Sequence, residues 1–357
     1  MKWTMEDYVR QTPSVCLENI KNYKLLIKPL LDIAQDKSIS KIILVASGSS
    51  NNACYCAKPF LEKVLQMEVK IITPFVYTMY ESEIKDDELL IFITQSGLST
   101  NTIDAVKKAN DLGYQTICLT ANTNADIKEF ADIVIDYGVG EELVGYVTKG
   151  VTTLILFLML FAVAYTNDEV YLNDIKKAIK HNEDMIEKTL QFIEKHYKKF
   201  TSMQNCYVCA CGSNVGTAME SALKIGETIH VPSFHYEIEE YIHGPNLQLA
   251  PSYSILFYDN QDQASERLYN IYKATREVSD SCYMISSNSE YTNDENILVI
   301  ENDVCSEVKV LIYIVFPQLL SGVISKDTNS NLQHPLMKKF KQIVSSKTEN
   351  FINYDED

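Results

Sequence analysis

Apolar residues in this chain fall into short unbroken runs, separated by longer stretches where they recur every three or four positions. The runs Lys41-Ile-Ile-Leu-Val-Ala46, Glu68-Val-Lys-Ile-Ile72 and Leu89-Leu-Ile-Phe-Ile93, with residues 115–119 and 133–135, read as strands buried on both faces. Residues 53–67 and 103–112 carry helical periodicity between them. Such alternation predicts a parallel sheet covered by helices on both sides. A charged amphipathic stretch, 168–200, follows, and then the order restarts. Apolar runs at 206–211, 254–258, 282–285 and 297–300 predict a second set of strands, and 308–324 a long apolar helix. Gly48 and Gly212, in Gly-Ser turns after the first strand of each series, stand 164 positions apart, about one domain length, which marks an internal duplication. The expected fold is α/β, with a helical arm (1–38), a first domain (39–167), a helical connector (168–200), a second domain (201–330) and a tail (331–357).

Residues 151–165 form the most hydrophobic run. Fifteen residues are short for a bilayer span of about twenty, so a helix buried between layers is expected rather than a membrane segment. A formal charge of −16 argues against nucleic acid or an anionic membrane as partner. An anionic small molecule would have to be held by local N–H dipoles and hydroxyls. The nine cysteines are odd in number, no secretory leader is visible at residues 1–7, and several cysteines sit in apolar runs. That pattern is expected of reduced, buried thiols in a cytoplasmic protein. Cys206, Cys209 and Cys211 alternate within one strand without a second Cys-x-x-Cys. His181, His196, His230, His235 and His334 do not cluster, so no metal is expected.

Candidate chemistry concentrates in two places. Ser47-Gly-Ser-Ser50 and Thr94-Gln-Ser-Gly-Leu-Ser99 each follow a predicted strand and open a predicted helix, an arrangement suited to an anion. No Gly-x-x-x-x-Gly-Lys is present, which turns the reading away from nucleoside triphosphates. The second place is 219–246. There Glu220, Lys224 and Glu227 recur at spacings of four and three on one helical face, followed by Glu237, Glu239 and Glu240 and by His243-Gly-Pro245. The plain alternatives are a solvated salt-bridge ladder and a histidine satisfied within a turn.

These motifs, in this order, resemble the tandem sugar isomerase (SIS) family. That family includes the isomerase half of glucosamine-6-phosphate synthase and, more closely, the stand-alone fructosamine-6-phosphate deglycases of the fructoselysine and glucoselysine type. The resemblance implies two doubly wound, flavodoxin-like SIS domains. It implies that Ser50, Thr94, Gln95, Ser96 and Ser99 hold a sugar phosphate. Glu227 and His243 match the family's acid/base pair, Glu240 stands where a glutamate precedes the histidine turn, and Lys224 matches the lysine one helical turn before the catalytic glutamate. Ser49, Thr148 in Val147-Thr-Lys149, and His334 in Leu332-Gln-His-Pro-Leu336 fall where the family borders its sugar. In the family the histidine segment reaches the neighbouring subunit's site, so a homodimer is expected.

Leu98 departs from the synthase pattern, which carries an acidic residue there. An N-terminal glutaminase domain and the synthase tail with its Schiff-base lysine are not seen either; this chain ends Asn353-Tyr-Asp-Glu-Asp357. The expected activity is therefore cofactor-free cleavage of a fructosamine 6-phosphate to an aldose 6-phosphate and a free amino acid. Aldose–ketose isomerisation, aminosugar-phosphate deamination and a non-catalytic phosphosugar-binding regulator are the alternatives.

Overall fold

The computed structural model describes residues 3–36, 39–143, 145–328 and 334–352. Two compact units emerge, one from residues 14–171 with 333–357 and one from 1–13 with 172–332. The arm expected at 1–38 is thus divided between them, the connector expected at 168–200 lies mainly with the second, and the tail lies with the first.

Two helices, α1 (Met5–Lys21) and α2 (Tyr23–Gln35), precede the first sheet, with Pro13 inside α1. The sheet contains β1 (Lys41–Ala46), β2 (Glu68–Ile72), β3 (Glu88–Ile93), β4 (Ile117–Thr120) and β5 (Ile133–Asp136). All pairs are parallel, in the order β2-β1-β3-β4-β5, with Ile42 opposite both Val69 and Leu89. The helices between the strands are α3 (Gly48–Leu65), α4 (Pro74–Met79) and α5 (Thr100–Asp111). Chain order reverses between β1 and β3, and ligands of open parallel sheets bind beyond the strand ends at such a point. Both Ser-rich turns leave the sheet there.

The apolar run expected to be a buried helix is α6 (Lys149–Thr166), and every residue from Lys149 to Val163 is buried. Each large apolar side chain sealed there contributes about 1.5–3 kcal/mol. α6 and residues 306–328 are long and apolar enough to cross a membrane, but 83% and 89% of them are packed inside the fold.

In the second unit, α7 (Val170–Lys195) and α8 (Tyr197–Thr201) lead into a sheet of β6 (Cys206–Ala210), β7 (Ser233–Glu237), β8 (Ser254–Tyr258), β9 (Cys282–Ser286) and β10 (Ile297–Val299). Its order, β10-β9-β8-β6-β7, repeats the first sheet, and its pairs are parallel too. The two sheets have the expected tandem α/β architecture. β7 was not anticipated, because Ser-Phe-His-Tyr-Glu is a partly exposed edge strand rather than an apolar run. The helices are α9 (Val215–Lys224), α10 (Ile238–Ile242) and α11 (Ser265–Arg276). The helix expected over 308–324 is broken into a 3-10 turn (Ser306–Val308), α12 (Val310–Tyr313) and α13 (Val315–Thr328). The last helix, α14 (Met337–Ile343), belongs to the first unit.

Gly48 and Gly212 occupy equivalent turns and share φ = +55°, a left-handed conformation that costs glycine little. All nine cysteines are free thiols, eight buried and Cys305 partly exposed.

Candidate functional site

The first unit gathers the Ser-rich turns. Ser47 is the extended residue before α3, and Ser99 holds the same place before α5. Two helix N-termini therefore meet the strand ends, each carrying unpaired N–H groups and the positive end of its dipole. Asn101 Nδ2 donates to Ser47 Oγ at 2.9 Å and links the two turns. Thr94 is buried and donates through Oγ1 to Ser99 Oγ at 3.2 Å, while Leu98 N donates to Ser96 Oγ. Gly97 has φ = +67°, and a Cβ there would lie 2.5 Å from Ala125 Cβ, so this turn is fitted closely to the following loop. Ser49 is buried and Ser50 partly exposed in the first turn of α3.

Two groups not singled out in the sequence complete this site. Glu142 lies under the N-terminus of α6, accepting from the backbone N–H of Thr148 (3.0 Å), Lys149 (2.6 Å) and Gly150 (3.0 Å), and from Gln95 Nε2. Burial pushes its carboxyl up, against the opposing pull of those donors. Gln95 is thereby tied to Glu142, and Thr148 is buried with its hydroxyl on Tyr146 O. The second group is Lys347. Its Nζ lies 3.0 Å from both Ser96 Oγ and Ser99 Oγ. Ser99 and Lys347 pair as an antiparallel bridge, flanked by Thr348 N to Leu98 O and Thr100 N to Ser346 O. Nothing in the periodicity of this polar tail marks Lys347. His334 is exposed, and its ring accepts from Leu336 N. Leu332, Gln333 and residues 353–357 lie outside the described residues.

The second unit holds the acid/base candidates. Glu220, Lys224 and Glu227 are an interior cluster, not a solvated ladder. Lys224 Nζ lies 3.3 Å from Glu220 Oε1 and 2.6 Å from Glu227 Oε1. The side chains of Lys224 and Glu220 have no solvent exposure, whereas Glu227 keeps 31%. Burial opposes the lysine charge, but the two carboxylates outweigh it and hold the ammonium above its usual range. Glu227 does not continue α9. It sits in a π-turn, Ile225–Ile229, closed by His230 at φ = +60°. Single π-turns recur at functional sites because they re-aim a side chain within a packed helix.

His243 is exposed at the end of α10, with its N–H donating to Glu240 O at 3.2 Å. Glu237 caps α10 by accepting from the N–H of Glu239 and Glu240. The Glu240 carboxylate is exposed, and its link to His243 is through the backbone. Glu239 is held below the usual carboxylate range chiefly by its hydrogen bond from Arg267.

The equivalent strand ends of the second sheet are filled by the protein itself. Asp259 accepts from Ser265 Oγ, Ser286 Oγ and Gln261 N, and Lys309 Nζ donates to Asn260 O, Ser287 Oγ and Gln261 Oε1. Among the described residues no group of three His, Cys, Asp or Glu side chains is arranged to hold a metal ion.

Comparison with known proteins agrees with this architecture. Residues 37–164 match the SIS domain model. The glutamine–fructose-6-phosphate aminotransferase (isomerizing) of Wigglesworthia glossinidia brevipalpis is 27% identical over 313 residues, 84% of this chain and 50% of that protein. The chain spans about half, or less, of the length of the curated relatives it matches. A candidate phosphosugar isomerase from Clostridium difficile 630 superposes with a TM-score of 0.87 at 25% identity, covering 98% of this chain and 100% of that one. The C-terminal domain of glucosamine-fructose-6-phosphate aminotransferase from Francisella tularensis superposes at 0.78 with 19% identity, over 94% and 99% of the two chains, a likeness of fold.

Proposed function

The chain carries a SIS domain in residues 37–164 and has the tandem SIS architecture, and from that premise we propose that it is a phosphosugar-processing enzyme working by acid/base catalysis. The observation that carries this reading is Glu227, a partly exposed carboxylate fixed at 2.6 Å on a sealed ammonium. A general base needs a defined position and an accessible face, and the Lys224 contact together with partial exposure supports that role for Glu227. The Ser50 and Thr94–Ser99 turns supply hydroxyls and helix N-termini for the phosphate. The second sheet's corresponding ends are already satisfied by Asp259 and Lys309, which supports assigning the phosphate to the first unit.

The finer reading is a fructosamine-6-phosphate deglycase. Glu227 takes a proton from C1 of the Amadori compound, giving the 1,2-enaminol. Protonation at C2 then yields the C1 imine, and water adds to C1 to release the amine and leave an aldose 6-phosphate. His243 serves ring opening and proton transfer, and in a homodimer its segment completes the neighbouring subunit's site. Lys224 holds Glu227 in place and stabilises its charge. This finer reading is supported by the motif resemblance rather than by a feature unique to the site.

The test is incubation with fructosamine 6-phosphates of several amino acids, glucosamine 6-phosphate and fructose 6-phosphate, with products read by mass spectrometry. Equal release of hexose 6-phosphate and amino acid from a fructosamine phosphate is the expected result. Turnover of the simpler sugars alone replaces the deglycase by an isomerase or deaminase. Binding without turnover across the panel overturns the enzyme reading.

A further inference from the structure

A lysine inside a protein normally finds a carboxylate, as Lys224 does twice. Lys347 does not. Its Nζ is directed at two serine hydroxyls and stands 5.4 Å from the centre of the Phe351 ring, and among the described residues no carboxylate forms an ion pair with it. The residue is only partly exposed, and burial lowers its pKa from the usual lysine value. The aliphatic stem is set by the backbone rather than by chance. The Ser99–Lys347 bridge, the Thr348 N to Leu98 O and Thr100 N to Ser346 O bonds, and Asn350 Nδ2 on Asp126 Oδ1 at 2.9 Å strap the tail across the turn. An ammonium with no counter-ion among the described residues, held against hydroxyls at the N-terminus of the twelve-residue α5, is an arrangement suited to an anion.

We propose that Lys347 is the cation of the phosphate site, carried in by the C-terminal strap to pair with the phosphate monoester of the substrate between Ser96 and Ser99. On this view the two hydroxyls hold the ammonium until a phosphate dianion arrives, and all three then donate to the phosphate oxygens. The turn is not a cation-free phosphate cradle, as the serines and threonines alone suggest. Because the cation belongs to the strap, phosphate binding depends on the strap being seated across the turn. The inference rests on reading the Thr94–Ser99 turn as the phosphate site, and the experiment separates the two.

The probe is glucitol 6-phosphate, which has no carbonyl to react, with unphosphorylated glucitol as control, titrated calorimetrically into the full chain. Lys347→Met is expected to weaken glucitol 6-phosphate about tenfold or more, the scale of one charge-assisted hydrogen bond, and Lys347→Arg to restore most of it. A phosphate beside an ammonium also gives up its second proton more readily than the free ester, whose pKa is about 6. 31P titration of the bound ester should show that displacement in the wild type and a smaller one in Lys347→Met. A role in tail fastening alone would not move this readout. If Ser96→Ala and Ser99→Ala weaken binding while Lys347→Met binds equally well or more tightly, the lysine proposal falls and the phosphate turn stands. If neither serine variant changes binding, the phosphate lies elsewhere and both fall. A bound ester whose second pKa matches the free value in the wild type also overturns the proposal, whether or not any variant folds.

Discussion

Lys224 Nζ stands 2.6 Å from Glu227 Oε1, with the lysine sealed from solvent and the carboxylate partly open to it. The opposite face of the ammonium meets Glu220, which is as inaccessible as the lysine. Of the two glutamates, only Glu227 can therefore be reached from outside. The sealed lysine anchors a carboxylate that solvent can reach, and the π-turn at Ile225–Ile229 sets where that carboxylate sits.

Glu227→Gln keeps the side-chain shape and leaves Lys224 its Glu220 partner. Turnover is expected to fall by about 100-fold or more, the usual yield of a positioned general base. Binding of glucitol 6-phosphate should stay within about twofold of wild type, since the phosphate turns are untouched. Steady-state kinetics alongside calorimetry checks both. Undiminished turnover removes Glu227 from the mechanism.

Lys224→Met leaves Glu220 buried without its cation. The expected loss is about 3–5 kcal/mol in urea unfolding, and Glu220→Gln in the same chain should recover much of it. The pH dependence has a definite sign. The folded pKa of Lys224 lies above its ordinary 10.5, so the stabilisation is fully present below that value and is lost as pH rises through the folded pKa. The wild type's advantage over the Lys224→Met, Glu220→Gln double variant, in which no unpaired buried carboxylate is left to titrate, should be level across neutral pH and shrink only in strong alkali. A difference that already varies between pH 6 and 9 would point to another group.

Gly97→Ala tests the fitted turn. Its φ of +67° and the 2.5 Å approach to Ala125 Cβ leave the new methyl no relaxed position. A loss of about 1–3 kcal/mol is expected, with weaker glucitol 6-phosphate binding because Ser96 and Ser99 shift with the turn. Thermal melting and calorimetry on the same sample test the coupling. A variant as stable as wild type would mean that the loop at Ala125 yields easily.

Much of the fold could be read from the chain because strands buried on both faces leave unbroken apolar runs. Lys41–Ala46 and Cys206–Ala210 are such strands, and the Gly48 and Gly212 turns after them share one backbone conformation. β7 escaped because an edge strand needs only partial burial, so Ser233–Glu237 carries polar residues. Periodicity placed Glu220, Lys224 and Glu227 on one face but could not say whether that face met water or core. The π-turn adds a residue that no helical count anticipates. Glu142 and Lys347 were hidden for another reason. Each reaches its partners through the fold, Glu142 across to Gln95 and Lys347 across to Ser96, and neither lies in a patterned segment.

The strap also sets an order of events during synthesis. Lys347 bonds to Ser99 across 248 residues of chain, while β1 through β5 and their helices are complete by residue 166. Domains generally fold as units as they leave the ribosome, N-terminal parts first. The first sheet can therefore be in place long before its lysine exists. On the role proposed for Lys347, nascent chains would carry a folded turn that holds phosphate more weakly until the whole second sheet has been translated.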